Sequence, residues 1–506
     1  MVQRPAQAGK QLADLLRGIA LEETVPAVEI LDVSSNSRNV SKGSLFVALK
    51  GTQTHGIDYA IDAVKAGAAV IMYDRLDDYS LQRIPLLQKQ VKTHWLGVAN
   101  LDQLNGEIVS RFYDEPSKAM KIIGVTGTDG KTSVTHLLTQ ALGRLDKRVG
   151  SIGTLGYGMG REFKPTQHTT PDAVSLQSYL HEFRQHQCEY VVMEVSSHAL
   201  DQYRINGCQV DVAVLTNLGR DHLDYHGDLD RYAAAKARLF YDFNLDGRVI
   251  NEDDEFGQQL SASFNDDTVI RYSADKYSQR SAEVRLISSE ITGQGQNLRV
   301  QTPVGEIFAQ TELMGDFNID NTLACISSLI SLGFDQAEIN RAVSKLTPIP
   351  GRMEKFSSNP ELASAVIDFA HTEQALRACL STSRLHTQGK LWCVFGCGGD
   401  RDPGKRKGMG SAAEQLADHV IVTDDNPRTE PSEVIVSGIL AGMNAPDRVS
   451  VVHNRQAAIE FALSQAAAED LVVIAGKGHE QEQIIGRERL PFSDRHVVQR
   501  IMQANQ

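Results

Sequence analysis

Apolar positions along the chain follow two periods. Short runs such as Ser44-Leu-Phe-Val-Ala-Leu49 and Ala68-Ala-Val-Ile-Met72 are too brief for helices and read as buried strands, with a helical stretch, Ala60 to Ala66, between them. A second region opens with the strand pattern Lys121-Ile-Ile-Gly-Val125. Apolar residues then fall at Val134, Leu137, Leu138, Ala141, Leu142 and Leu145, one face of a helix. Tyr190 to Met193 and Val212 to Leu215 read as further strands. Asp246 to Phe308 is polar and strand-like, an excursion within this region. Beyond Thr347-Pro-Ile-Pro-Gly351, strands at Ser364–Asp368, Leu391–Phe395, His419–Val422, Val449–Val452 and Leu471–Ile474 alternate with helical stretches such as Gln374–Leu385 and Gln456–Ala467. Regular alternation implies βαβ units and a mostly parallel sheet. The patterning therefore predicts three α/β blocks, with breaks near Glu115-Pro116-Ser117 and Thr347–Gly351.

A length of 506 residues agrees with about three domains. The net charge of −13 argues against wholesale binding to nucleic acid or anionic lipid, so any phosphate chemistry must be local. Met1 to Gly18 lacks the apolar core of a secretory signal, and no run is long enough for a membrane helix. The six cysteines form no CxxC pair, which fits free thiols in a reducing compartment better than a zinc site.

Gly127-Thr-Asp-Gly-Lys-Thr-Ser133 lies between a predicted strand and a predicted helix. Backbone N–H groups at such a helix start, with a Lys, hold phosphates, and a Thr or Ser hydroxyl ligates Mg²⁺. Val125 stands where the usual GxxxxGK pattern has its first Gly. The competing reading is a glycine turn with a solvated Lys. In the third block, four polar segments follow strands: His371, Gly396 to Arg401, Asp425 to Arg428, and Gly476 to Glu480. Open parallel sheets bind ligands at that edge. Arg401 and Arg428 suit a carboxylate, and Asp425 and Glu480 an ammonium. Asn426 serves either, and Pro427 fixes the turn. A ligand with an amino-acid end carrying both charges fits.

The loop and the segments around it resemble the Mur ligase family of ATP-dependent amide-bond ligases. The segments are Asn36-Ser-Arg38, Gly51-Thr-Gln-Thr-His-Gly56, His168-Thr-Thr-Pro171, Met193-Glu-Val-Ser-Ser-His198, Thr216 to Asp224, Tyr232-Ala-Ala-Ala-Lys236, Gly315-Asp-Phe-Asn318, Gly351-Arg-Met-Glu354, Gly396 to Arg401, Asp425-Asn-Pro-Arg428 and Gly476-Lys-Gly-His-Glu480. Their order and spacing cover nearly the whole chain. Two segments depart from the family pattern: Asp129 replaces the usual Asn, and Phe369-Ala-His-Thr-Glu373 replaces Tyr-Ala-His-Thr-Pro.

The resemblance implies an α/β fold in three domains. These are a UDP-sugar-binding domain over 1–118, a central P-loop parallel-sheet ATPase domain over 119–349, and a Rossmann-like amino-acid-binding domain over 350–506. It implies attachment of meso-diaminopimelate to the D-glutamate of UDP-N-acetylmuramoyl-L-alanyl-D-glutamate, with ATP as co-substrate and an acyl phosphate between, in cytoplasmic peptidoglycan precursor synthesis by a monomer. Gly127, Thr128, Asp129, Gly130, Lys131, Thr132, Ser133, Asn318 and Arg352 would bind ATP. Ser37, Thr52, Gln53, Thr54, Thr169, Thr170, Ser196, Gln202 and Arg204 would bind the UDP-muramoyl dipeptide. Arg401, Asp425, Asn426, Pro427, Arg428, Gly476 and Glu480 would bind diaminopimelate. Thr132, Ser133 and Glu194 would hold one Mg²⁺. His222 and a carbamate formed on Lys236 from CO₂ would hold a second. Lys131, Glu194, His222 and Lys236 would carry the catalysis.

Without the resemblance, Lys236 reads as a helix-surface lysine and His222 as a solvated loop residue. A paralogue ligating another amine, a folate-extending ligase and a nucleotide-binding regulator without catalysis stay open. All partners expected are small molecules, with no nucleic acid and no membrane insertion.

Overall fold

The computed structural model describes residues 8–504 except 52–53, 161, 265–266, 278–280, 293–294 and 358–360. The chain divides into two compact units, Met1–Arg285 with Leu323–Ala342, and Leu286–Thr322 with Val343–Gln506. The first two sequence blocks thus fall largely in one unit.

The amino-terminal part of the first unit is a four-stranded parallel sheet in the order Asp32–Ser34, Ser44–Ala48, Ala68–Asp74, His94–Val98. Alternate strand residues serve opposite faces. Leu45, Val47, Val70 and Met72 pack with Ile108, Val109 and Phe112 of helix Leu101–Phe112. Phe46, Ala48, Ile71 and Tyr73 pack with Ala60 and Ala63 of helix Ala60–Ala66 and Ile84 and Leu87 of helix Asp78–Leu87. Burial on both faces explains why these strands are continuous apolar runs rather than alternating ones.

The rest of this unit is built on parallel strands in the order Val149–Gly153, Tyr190–Glu194, Lys121–Thr126, Val212–Leu215, Gly247–Asn251, Val269–Ser273. The first half of the predicted excursion thus extends the central sheet. An antiparallel hairpin, Gly156–Met159 with Glu162–Lys164, finishes the other edge. Helix Lys131–Arg144 packs on three of the strands. Register pairs Glu194 with Val125, and Leu215 with Thr126. Three adjacent strands therefore end level with one another, at Thr126, Glu194 and Leu215.

In the second unit, a sheet runs Glu354–Phe356, Ser364–Asp368, Leu471–Ala475, Leu391–Phe395, His419–Val422, Ser450–Val451, parallel except for the first strand. The last strand is shorter than its apolar run. Helices Glu373–Leu385, Gly404–Leu416 and Ser432–Leu440 cover one face, over Val366, Cys393, Val422 and Val473. Helices Arg455–Gln465 and Asp494–Ala504 cover the other, over Ile367, Val394, Ile421 and Ile474. Connections leave Leu391–Phe395 and Leu471–Ala475 toward opposite faces, the topological switch point at which open α/β sheets bind ligands.

All six cysteines are free and buried, as expected. No helix among the described residues is long and apolar enough to cross a membrane.

One ion pair underpins the second face. Arg455 Nη2 lies 2.8 Å from Asp494 Oδ2, and both side chains are 0% exposed. Asp494→Ala strands a buried guanidinium and should cost about 3–5 kcal/mol. Replacing both, as Arg455→Met with Asp494→Leu, should recover most of that loss. Urea denaturation of the three proteins checks this, and a loss under about 1 kcal/mol for Asp494→Ala contradicts it.

Candidate active site

Strand Lys121–Thr126 runs into a turn that only glycine fits. Gly127 has φ +151°, and a Cβ there would lie 1.8 Å from Thr216 Oγ1. The neighbouring loop moulds the turn from outside. Thr128 N donates to Asn217 O at 2.9 Å, Asp129 N to Asn217 Oδ1 at 2.9 Å, and Thr216 Oγ1 to Asp129 O at 2.6 Å. Helix Lys131–Arg144 then begins with its first N–H groups free for an anion. Lys131 Nζ donates to the carbonyls of Gly127 and Thr128 at 2.8 and 2.7 Å, inside its own loop. Burial pushes the Lys131 ammonium below its ordinary pKa, with nearby carboxylates opposing. Asp129 is exposed, so its carboxylate faces solvent.

Glu194, at the end of the adjacent strand, is only 1% exposed. Its Oε1 accepts from Thr154 N at 2.8 Å, and its Oε2 from Thr132 Oγ1 at 2.9 Å and Thr154 Oγ1 at 3.2 Å. Burial raises its pKa, and these bonds and Lys131 oppose the rise. Among the described residues no group of three His, Cys, Asp or Glu could hold a metal alone. One carboxylate beside one hydroxyl fits Mg²⁺, which takes its remaining ligands from phosphates and water. Ser133 lies in the same first helical turn.

Lys236 overturns its reading as a surface lysine, being only 1% exposed. Its Nζ donates to Gly127 O at 2.6 Å and sits 4.4 Å from the centre of the Tyr232 ring. Burial, then the positive charge of Lys131, push its pKa down to about 6, against the pull of Asp221 and Asp129. A signal was present in the sequence. Tyr232, Ala235, Leu239 and Phe240 form the buried stripe of helix Leu229–Tyr241, and Lys236 falls on it. His222 stands at the N-cap position of the short helix Leu223–His226 with φ +53°, and its side chain makes no capping bond among the described residues. Its ring meets His198 edge-on at 4.8 Å and lies 6.2 Å from Tyr232.

A chain of bonds leads from Glu194 to the residues expected at the dipeptide. Thr170 Oγ1 donates to Glu194 O at 2.8 Å and accepts from Ser196 N at 3.0 Å. Arg204 Nη1 donates to Thr170 O at 3.0 Å, and its Nη2 to Gln202 Oε1 at 2.6 Å. Thr169 Oγ1 lies 3.3 Å from Thr154 Oγ1. Thr154 carried no signal in the sequence. Ser37 begins a 3₁₀ turn, where Asn36 rather than Ser37 is the capping residue. Thr54 lies exposed in a loop, whereas Thr52 and Gln53 fall outside the described residues.

The second unit gathers the other set. Asn426 Nδ2 donates to Glu480 Oε2 at 3.0 Å. Asp425 is 8% exposed, and burial raises its pKa despite Arg455 and Lys477 nearby. Gly476 has φ +119°, and a Cβ there would meet Asp425 Oδ2 at 2.5 Å. Pro427 is buried. Arg428, at φ +53°, donates from Nη1 to Gly399 O at 2.8 Å. Arg401 is exposed. Sequence reasoning passed over Lys477, which bonds to both Asn426 and Glu480. Arg352 lies 5.7 Å from the Phe369 ring, and its Nε has no hydrogen-bond partner among the described residues. Asn318, near the start of helix Phe317–Ser331, donates to Met314 O at 2.8 Å and accepts from Asn321 Nδ2 at 2.9 Å. Glu373 starts helix Glu373–Leu385 and pairs with Arg377 at 3.0 Å. Pro and acidic residues both suit a first helical turn, so this departure leaves the fold intact.

A phosphate-type loop at the centre of a parallel sheet, with a buried carboxylate against its helix, defines a P-loop nucleotide-dependent enzyme. Family models match in three stretches: "Mur ligase family, catalytic domain" over 29–113, "Mur ligase middle domain" over 125–329, and "Mur ligase, glutamate ligase domain" over 351–478. A protein of Alkalilimnicola ehrlichii, named UDP-N-acetylmuramoyl-L-alanyl-D-glutamate–2,6-diaminopimelate ligase, is 45% identical, over 92% of this chain and 93% of that one. A Coxiella burnetii protein of the same name is 43% identical, over 96% and 98%. A solved structure bearing that name superposes with a TM-score of 0.75 at 34% identity, covering 98% of this chain and 99% of that one. The chain belongs to the Mur ligase family, and it is an amide-bond-forming ligase of the three-domain Mur fold.

Gly153 tests the geometry around Glu194. A Cβ at Gly153 would lie 2.3 Å from Glu194 Oε1 and push the carboxylate aside. Gly153→Ala should lower kcat on the order of 10- to 100-fold, with the protein still folded by circular dichroism. An unchanged kcat would show that the carboxylate's placement is unimportant.

Proposed function

We propose that this ligase joins meso-diaminopimelate to the D-glutamate of UDP-N-acetylmuramoyl-L-alanyl-D-glutamate, with ATP as co-substrate and Mg²⁺ as cofactor. The similarity to relatives of that name, along nearly the whole chain, carries the substrate assignment. Residues 1–118 would take the UDP sugar, 119–349 the ATP and the dipeptide, and 350–506 the amino acid. ATP as co-substrate and six free thiols support an enzyme of the cytoplasm making peptidoglycan precursors, which we read as acting as a monomer.

The substrate carboxylate attacks the γ-phosphorus of ATP, releasing ADP and leaving an acyl phosphate. The amine then attacks the acyl carbon, phosphate departs, and the amine gives up a proton. Both steps crowd anions together, so positioned positive charge carries the catalysis. In this reading the Gly127–Ser133 loop and Lys131 hold the phosphates. Thr132, Ser133 and Glu194 would hold Mg²⁺, which would supply positive charge to the phosphate oxygens. Arg352 and Asn318 assist at the nucleotide. Thr170, Ser196, Gln202 and Arg204 orient the dipeptide, with Thr169, and Ser37, Thr52, Gln53 and Thr54 toward the uridine end.

An amine that is neutral near pH 7 can add to CO₂, and burial keeps Lys236 in that form. Its Nζ–C bond forms, one proton leaves, and the new carboxylate with His222 would hold a second Mg²⁺. Lys236→Ala should lower kcat on the order of 100-fold, with partial rescue by added formate or acetate. Full activity without rescue would refute the carbamate.

Arg401 and Arg428 would receive the distal carboxylate of diaminopimelate, and Asp425, Asn426 and Glu480 its ammonium. Lysine lacks that carboxylate and would leave a guanidinium unpaired. Phosphate release measured with both amines should favour diaminopimelate on the order of 100-fold or more, and Arg428→Ala should narrow the gap. Comparable turnover of the two amines would overturn the assignment.

A further inference from the structure

Two lysines are almost wholly buried in the described structure, Lys236 and Lys477. Lys477 follows Gly476 at the end of strand Leu471–Ala475 and is 0% exposed. Its Nζ donates to Asn426 Oδ1 at 3.0 Å and to Glu480 Oε2 at 2.8 Å. Asn426 Oδ1 also accepts from Ile484 N at 2.9 Å. Two donors converging on that atom identify it as the amide oxygen. The amide nitrogen is thereby turned toward Glu480 Oε2, 3.0 Å away. One ammonium thus joins two loops that lie far apart in the sequence. The loops are held further by Gln483 Nε2, which donates to Asp425 O at 2.8 Å, and by Arg428 N, which donates to Ile484 O at 3.0 Å. Beneath them, Arg455 donates to Ala475 O at 3.0 Å and is neutralised by Asp494.

We infer that Lys477 is a positioning residue of the amino-acid site, its buried ammonium locking Asn426 and Glu480 into one orientation toward the amine substrate. The inference rests on the proposal that these loops bind that substrate. Among the described residues, one of the two bonds to Glu480 Oε2 comes from Lys477 and the other from the amide that Lys477 helps to orient. Without the ammonium, Glu480 keeps a charge that is poorly paired and partly buried, and the Asn426 amide oxygen loses one of its two donors. A residue that merely stabilised the loop would affect all substrates alike. A positioning residue affects the amine selectively.

Steady-state kinetics on full-length variants separates the two. Lys477→Met should raise the KM for diaminopimelate roughly tenfold or more, with the KM for ATP and for the UDP-muramoyl dipeptide changed less than about twofold. Glu480→Gln and the double variant Lys477→Met/Glu480→Gln form the second arm, because together they leave no uncompensated buried charge. If Lys477 acts through Glu480, adding Lys477→Met to Glu480→Gln should change the amine KM by less than about twofold. An amine KM unchanged in Lys477→Met, a parallel rise in all three KM values, or full additivity in the double variant would overturn the inference. If the parent enzyme turns over another amine but not diaminopimelate, the substrate assignment falls, and the same KM ratios measured with that amine decide the role of Lys477.

Discussion

The 2.9 Å bond from Thr132 Oγ1 to Glu194 Oε2 ties the first turn of the phosphate-loop helix to the neighbouring strand. A buried carboxylate is costly unless its oxygens are paired. Here one oxygen takes the Thr154 N–H and the other takes two hydroxyls. Much of the site hangs from that requirement. Thr154 brings Thr169 within reach, and the Glu194 carbonyl anchors Thr170, which in turn receives Arg204. Gly153 has no side chain because the carboxylate occupies the place a Cβ would need. The parallel sheet makes this possible, since it delivers Thr126, Glu194 and Leu215 to the same edge.

The two buried lysines answer the cost of a buried cation in opposite ways. Lys477 finds a carboxylate and an amide oxygen, and so completes a paired network. Lys236 finds one carbonyl and a tyrosine ring, with the cation of Lys131 close by. That environment favours a neutral amine. The same physics therefore keeps one lysine a paired cation and lowers the pKa of the other.

Departures from the family pattern are accommodated locally. Asp129 uses its backbone to close the loop and turns its carboxylate to solvent. Glu373 occupies a helix start and meets Arg377 one turn on. Neither position shows the loss of a contact that catalysis would need, so neither favours a regulator without activity.

Period and turn chemistry were enough to read most of the scaffold from the sequence. Strands Val212–Leu215, Ser364–Asp368, Leu391–Phe395 and His419–Val422 and helix Ala60–Ala66 match their apolar runs residue for residue. Burial on both faces leaves a continuous run with visible ends, and glycines mark the turns. Motifs at strand ends were legible too, because short-range spacing defines them. Partners that lie far away in sequence were not. Nothing local distinguishes Thr154, which reaches Glu194 across 40 residues, or Lys477, which reaches Asn426 across 51. Lys236 illustrates the divide: its helical spacing placed it on the apolar stripe, but only the packed loop showed what its ammonium faces. The sequence by itself determined the elements, their order and the residue types at each strand end. The tertiary structure decided which charges are buried and by whom they are paired, because desolvation and pairing depend on neighbours that the fold assembles.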